Sequence, residues 1–130
     1  MSKIALGTVQ FGIDYGVNSV GGQVTPEEVK KILSYAHSKN IDLLDAAPTY
    51  GNSEKILGRM DISNFKVVTK TRHFGSLKIT NNDVKLLNND FHHSLKDLKQ
   101  DGVYGVLIHN ADDLLKPGAE KLFDKLQELK

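Results

Sequence analysis

Residues 41–54, with the sequence IDLLDAAPTYGNSE, decide the fold of this chain. An apolar, β-rich run at 41–45 ends in a polar loop, and a short helical pattern follows at 53–60. The same order occurs three more times: β-rich runs at 3–8, 65–69 and 103–109 are each followed by a polar loop and then by a helical pattern. Four such units in succession predict a parallel sheet with helices packed outside it.

Capping residues mark the helices. Thr25 is placed as an N-cap, Pro26 suits the first helical position and Glu28 completes a capping box. Asn40 stands where this helix is expected to end. Apolar stripes at helical spacing predict two further helices, one over about 82–99 and one that starts near Pro117.

Two architectures fit this alternation: an open doubly wound sheet and an arc of a (β/α)8 barrel. A doubly wound nucleotide-binding fold usually carries Gly-x-Gly-x-x-Gly after its first strand. Residues 7–12 read GTVQFG instead, and no helix is predicted directly after that strand. The following residues, 13–24, are mostly polar or glycine, and turn-forming residues at 18–22 predict a small hairpin.

Composition narrows the classes of protein. The chain has 130 residues, 17 basic against 16 acidic side chains, and no cysteine. This size fits one domain, and the balanced charge gives no field that would attract nucleic acid or an anionic membrane. Without cysteine there are no disulfides and no thiolate metal ligands. No apolar run is long enough to span a membrane. These features predict a cytoplasmic protein.

Polar side chains close the predicted strands. Asp45 ends the second strand, Lys70 ends the third and His109 ends the fourth, while Tyr50 lies in the loop after the second. In a barrel these strand ends share one rim, which is where active sites lie. A phenol is a weak acid near neutrality, and a neighbouring ammonium favours its ionised form. The set therefore predicts proton donation to a substrate oxygen, with the imidazole orienting a carbonyl.

At these residues the sequence resembles the aldo/keto reductases. Residues 44–54 resemble the family signature, with an Asp, an Ala, a Tyr-Gly pair and a Ser-Glu pair at the family's spacing; the other matching stretches are LGTVQFG at 6–12, VTK at 68–70 and LIHN at 107–110. The resemblance implies a TIM barrel that reduces an aldehyde or ketone with NADPH or NADH and without a metal. It implies Tyr50 as general acid, assisted by Lys70 and Asp45, and His109 as the residue that orients the carbonyl. It also places Gly7, Thr8 and Asp45 near the nicotinamide.

A complete barrel needs about 250 residues, so residues 1–130 are expected to be the N-terminal half of such a domain, truncated after its fourth predicted helix. That half would lack most of the cofactor site, and we expect it to bind cofactor weakly and to show little activity. Its inward-facing side chains are expected to include Ile4, Leu43, Val67 and Leu107. Open strand edges favour self-association or domain swapping. The expected partner is a small carbonyl substrate, with no nucleic acid and no membrane.

Other interpretations stay open at this stage. A half-barrel could act as a binding or assembly module, or as a redox-sensing scaffold, without turnover. Lys70 could instead act as a Schiff-base or general-base residue in another type of barrel enzyme, which would leave Tyr50 and His109 unexplained. Arg72, His73 and Phe74 either line a substrate pocket or form a plain loop. The adjacent His92 and His93 point about 100° apart on a helix, so they are not expected to bind a metal together.

Overall fold

The computed structural model describes residues 3–16 and 21–130. Its centre is a parallel sheet whose strand order follows the chain, β1-β2-β3-β4. The strands are short: β1 is Leu6–Gly7, β2 is Leu43–Asp45, β3 is Lys66–Lys70 and β4 is Gly105–Leu107. Because sequential strands are neighbours and parallel, every crossover runs from one strand to the next through a helix or a helical segment.

Helices fill these crossovers: α1 is Val9–Gly12, α2 is Pro26–Ser38, α3 is Ser53–Leu57, α4 is Asn81–Leu98 and α5 is Glu120–Glu128, with a 3₁₀ helix at Ala111–Leu115. Thr25 caps α2 by accepting a hydrogen bond from the Glu28 backbone N–H. Asn40 follows α2 with a φ of 58°, the left-handed conformation that ends many helices. Thr80 and Asp83 form a complete capping box at α4.

Strand register assigns each side chain to one of two faces. Leu44 pairs with Val67, and both side chains are buried beneath the helices. Their neighbours Asp45 and Val68 pair one position further along and point to the opposite face, because side chains alternate along a strand. The helix-covered side holds the main apolar core, which consists of Phe11, Val29, Leu33, Leu44, Ala46, Ile56, Leu57, Ile62, Val67 and Leu98. A second cluster joins Phe74, Ile79, Leu87, Ala119 and Leu122.

The opposite, inner face has no such cover. Leu107 is 51% exposed there, whereas Leu44 on the helical side is 0% exposed. Ile4, which was expected to face inward, lies two residues before Leu6 and shares its parity, and Leu6 packs against the helical core. A sheet with sequential parallel strands and helices on one face is an arc of a barrel, since a doubly wound sheet reverses its strand order and carries helices on both faces. The predicted α/β fold, a half-barrel of four βα units, is therefore confirmed.

Several local expectations need correction. A short helix, α1, does start directly after the first strand, because four residues make one turn that leaves no apolar periodicity to detect. Val67 faces the helices and not the barrel interior, since it lies an odd number of residues from the inward-facing Lys70. Of the hairpin predicted at 18–22, residues 18–20 lie outside the described residues. β1, β2 and β4 are shorter than their apolar runs, because ladder hydrogen bonds require a partner in register, whereas β3 keeps five residues and is displaced by one.

The length and hydropathy of the helices bear on membrane insertion. Within residues 3–16 and 21–130, no helix is both long enough and apolar enough to cross a bilayer.

Candidate active site

Two adjacent strand ends place a cation against an anion. Asp45 is the last residue of β2 and Lys70 is the last of β3, and both point to the inner face. The Lys70 ammonium donates hydrogen bonds to Asp45 Oδ1 and to the Ala46 carbonyl oxygen, the latter at 3.0 Å. The Lys70 side chain is only 12% exposed, so this ion pair is largely shielded from water and has a fixed geometry.

Tyr50 reaches the same ammonium from the loop after β2. Lys70 Nζ lies 4.9 Å from the centroid of the Tyr50 ring. The backbone of Tyr50 is held by a 3.1 Å hydrogen bond to the Ala47 carbonyl oxygen. It also touches α1, because a Cβ atom at Gly12 would lie 1.7 Å from the Tyr50 carbonyl oxygen. Only glycine permits this approach, so the sequence of α1 fixes where the phenol stands.

His109 completes the group from the loop after β4, two residues beyond the strand end at Leu107 where it was expected. Its ring centroid lies 6.1 Å from that of Tyr50, edge to face at an interplanar angle of 83°. His109 Nδ1 lies 3.3 Å from the Thr49 hydroxyl, and its backbone N–H donates to Thr71 Oγ1 at 3.2 Å. The four residues predicted to act together thus form one continuous series at the carboxyl ends of the strands: Asp45, Lys70, Tyr50 and His109.

A cleft opens beside Tyr50 and His109, at one end of this series. It has a volume of about 290 Å³ and is lined by Val9, Ile13, Tyr15, Thr49, Tyr50 and His109. The volume is at the lower end of the range for small-molecule sites. Apolar side chains from α1 and the residue after it face the polar pair Tyr50 and His109, an arrangement that suits a small polar group on an apolar body.

The residues predicted to lie near a nicotinamide occupy two different environments. Gly7 faces the inner side of β1, and a Cβ there would meet nothing within 4 Å, so open space adjoins its pairing partner Asp45. Thr8 is 0% exposed, and its hydroxyl donates to the Asp45 carbonyl oxygen at 3.0 Å. The open space beside Gly7 and Asp45 could accept a flat ring. The buried Thr8 side chain instead holds the backbone of Asp45 through its hydrogen bond.

Of Arg72, His73 and Phe74, only His73 lies next to the loop that carries His109. Arg72 donates from Nε and Nη2 to Asp90 on α4, at 2.5 and 2.8 Å. These hydrogen bonds raise the pKa of the Arg72 guanidinium. Phe74 is buried in the second cluster. His73 is exposed and lies 2.9 Å from Asn110 Nδ2, beside the loop of His109.

The paired histidines of α4 bind separate partners. His92 Nδ1 lies 2.8 Å from the Asn88 carbonyl oxygen, and His93 Nε2 lies 3.3 Å from Asp97. Across the described ranges, no group of three or more His, Cys, Asp or Glu side chains is placed to hold a metal ion.

Sequence reasoning overlooked two buried polar residues behind the site. Ser53 and Glu54 begin α3 and are 0% and 4% exposed. Burial raises the pKa of the Glu54 carboxyl, although hydrogen bonds from Thr69 and Ser94 act in the opposite direction. Both residues belong to the stretch that resembles the family signature, and their closeness to Tyr50 was the available signal.

Known proteins share this fold and sequence pattern. The pattern of the aldo/keto reductase family matches residues 3–130. A 71-residue stretch is 39% identical to oxidoreductase sirO of Leptosphaeria maculans and corresponds to 22% of that protein. Two solved structures assigned as aldo-keto reductases from Pseudomonas aeruginosa are 28% and 26% identical, with TM-scores of 0.75 and 0.72 over 98% of this chain.

This chain is much shorter than those relatives. It covers 52% and 51% of the two solved chains. The similarity nevertheless spans all four βα units and every strand end described above. On the match from residue 3 to residue 130, the chain belongs to the aldo/keto reductase family.

Proposed function

We propose that this chain carries the acid–base residues of an NAD(P)H-dependent carbonyl reductase. The observation that supports this is the convergence of Tyr50, Lys70 and Asp45, with the Lys70 ammonium 4.9 Å from the Tyr50 ring and hydrogen-bonded to Asp45. The substrate class is a small aldehyde or ketone, since the cleft beside Tyr50 and His109 measures about 290 Å³. Membership of the family supports oxidoreduction in general, and the choice of carbonyl reduction rests on this geometry.

Each residue has one part in the proposed reaction. A nicotinamide held beside Gly7 and Asp45 would supply a hydride to the carbonyl carbon. The Tyr50 hydroxyl donates its proton to the carbonyl oxygen, which gives the alcohol. Lys70, fixed by Asp45, stabilises the negative charge left on the phenol oxygen. His109, held by Thr49, orients the carbonyl oxygen at the mouth of the cleft.

The inner face offers room for the reactive ring of the cofactor. Gly7 leaves open space next to Asp45, in register with Val68 and two residues before Lys70. We assign Gly7 and Asp45 to the nicotinamide end, with NADPH and NADH both compatible. Thr8 supports this surface through its hydrogen bond to the Asp45 backbone.

The same geometry argues against a Schiff-base role for Lys70. Schiff-base formation requires an amine that is free to attack a carbonyl. Lys70 Nζ is instead held by the Asp45 carboxylate and the Ala46 carbonyl oxygen.

Substitution of one hydroxyl tests the proposal. In the full-length protein, Tyr50→Phe is expected to lower kcat for NADPH-dependent reduction of benzaldehyde by about 10²- to 10⁴-fold, because the general acid is removed. The matched control is Tyr35→Phe, since Tyr35 is 66% exposed on α2, and it is expected to keep full activity. Equal activity of the two variants across a panel of aldehydes and ketones would contradict the proposal.

The uncovered inner face supports a second proposal, which concerns assembly. Leu107 exposes apolar surface there, and among the described residues β1 and β4 each have one unpaired edge. A protein of these 130 residues alone is therefore expected to self-associate through these edges, to bind NADPH weakly and to show little turnover. Sedimentation equilibrium at high micromolar concentration measures the association, and a clean monomer would contradict it.

A further inference from the structure

The polar pair Ser53–Glu54 stands directly behind the reacting residues. These side chains open α3, three and four residues after Tyr50, and both are buried. Buried polar groups are retained in proteins when they have hydrogen-bond partners. The partners of this pair lie on two different strands, β1 and β3, on either side of the strand that ends in Asp45.

Ser53 connects α3 to the end of β1. Its hydroxyl lies 2.7 Å from the Thr8 carbonyl oxygen and 3.0 Å from Thr8 Oγ1. Thr8 in turn donates from both its backbone N–H and its hydroxyl to the Asp45 carbonyl oxygen, each at 3.0 Å. The helix that follows Tyr50 is therefore linked, through one residue, to the backbone of Asp45.

Glu54 connects α3 to β3. Its carboxylate accepts a 2.5 Å hydrogen bond from Thr69 Oγ1. Thr69 faces the helices, while the next residue, Lys70, faces the inner side. A displacement of Thr69 toward or away from α3 thus moves the strand position from which Lys70 extends.

Close packing of α3 on α4 encloses this carboxyl. A Cβ atom at Gly58 would lie 2.0 Å from the Asp97 carbonyl oxygen, so the two backbones touch one turn after Glu54. The groups of α4 that act on the Glu54 carboxyl are Ser94, Asp97 and His93. Such enclosure leaves Glu54 little freedom and makes it a rigid anchor for Thr69.

We propose that Ser53 and Glu54 are positioning residues, which set the separation of the Tyr50 ring from Lys70 and Asp45. The inference rests on the proposed reaction, in which these three residues act together. Neither Ser53 nor Glu54 touches the cleft, so their effect on catalysis passes through Thr8 and Thr69.

An isosteric substitution isolates the link to β3. Thr69→Val in the full-length protein removes the hydroxyl and keeps the shape, and it is expected to lower kcat about 10-fold with KM nearly unchanged, because misplacement of reacting groups slows the chemical step. Thr69→Ser retains the hydroxyl and is expected to restore kcat to within about twofold of the wild type. The matched control is Thr80→Val, which removes the capping hydroxyl of α4 and is expected to lower Tm without lowering kcat.

Ser53→Ala tests the link to β1 and covers the case in which Thr69→Val fails to fold. It is expected to lower kcat in the same manner, with the loss not recovered at saturating NADPH and benzaldehyde. Losses of Tm in Ser53→Ala and Thr69→Val with kcat as high as in Thr80→Val would overturn the inference, since the pair would then serve stability alone.

A crystal structure provides a test that does not depend on turnover. In Thr69→Val, the distance from Lys70 Nζ to the Tyr50 ring centroid is expected to change by about 1 Å from the present 4.9 Å. An unchanged distance overturns the positioning role whether or not the protein is a reductase. A changed distance in a protein that reduces no carbonyl supports positioning and refutes the proposed reaction, so the two failures are distinguishable.

Discussion

The two faces of the sheet are made from the same strands and have opposite properties. On the helical face, Leu44 and Val67 are almost completely buried, and their neighbours are apolar. On the inner face, Asp45 and Lys70 meet near exposed apolar side chains such as Leu107. Since side chains alternate along a strand, each strand contributes to stability with one residue and to chemistry with the next. On β2 and β3, the apolar packing of Leu44 and Val67 and the ion pair of Asp45 and Lys70 therefore lie on opposite faces.

The largest difference in stability between the two faces is expected for two neighbouring residues of β2. Leu44→Ala removes a side chain that is 0% exposed, and it is expected to lower the free energy of unfolding by about 2–5 kcal/mol. Leu43→Ala, on the half-buried inner face, is expected to lower the free energy of unfolding by only about 1 kcal/mol. Folding removes less apolar area of Leu43 than of Leu44 from contact with water. Urea unfolding measures both values. Equal losses would show that the inner face is as well packed as the helical face.

A smaller difference in stability is expected for isosteric substitutions at two neighbouring residues of β3. Val67→Thr places a hydroxyl in the apolar core and is expected to lower the free energy of unfolding by about 1–3 kcal/mol, because the apolar neighbours offer that hydroxyl no hydrogen bond. Val68→Thr places the same hydroxyl on the inner face and is expected to stay within about 0.5 kcal/mol of the wild type. Thermal unfolding at a fixed pH compares the pair. A reversed order would contradict the assignment of faces from the register.

The smallest expected effect is a pH dependence on the helical face. Burial raises the pKa of Glu54 above its ordinary value of 4.5, so the folded state binds this proton more tightly than the unfolded state. The stability gained from the protonated carboxyl is complete below pH 4.5 and is lost as pH rises through the raised pKa. Glu54→Gln is expected to remove this decline.

The control for that profile has the opposite sign. Backbone and Lys121 hydrogen bonds lower the pKa of the exposed Glu120, so its contribution is lost as pH falls. Glu120→Gln is expected to leave the limb above pH 4.5 unchanged. The two stability profiles, measured by urea unfolding from acidic to neutral pH, separate the buried carboxyl from an exposed one. A Glu54→Gln profile parallel to that of the wild type would contradict the raised pKa.

Much of the fold could be read from the sequence, because the relevant signals are local. The Thr25-Pro26 start of α2 depends on a cap within three residues, and the structure has that cap. The four strands were found as apolar runs, although their lengths depend on partners distant in the chain. The two single-turn elements, α1 and the 3₁₀ helix at Ala111–Leu115, were not predicted, since one turn carries no periodicity.

The residues of the candidate site could be predicted from the sequence, but the contacts that hold those residues in place could not. Asp45, Lys70 and His109 are expected at strand ends once the strands are known, and their common rim follows from parallel topology. The contacts from Thr49 to His109 and from Gly12 to Tyr50 join residues far apart in the chain. Such contacts depend on how loops pack, so no spacing rule predicts them. The orientation of Val67 could have been obtained from its distance to Lys70 along the strand.

The sequential strand order has a consequence for how the molecule folds. Each strand pairs with the strand made just before it, so no pairing has to wait for a strand that is synthesised later. Parallel pairing across a helical crossover is slow, but this order permits stepwise assembly during synthesis from the N-terminus. On that pathway β2 brings Asp45 and Tyr50, β3 adds Lys70, and docking of β4 brings His109 last.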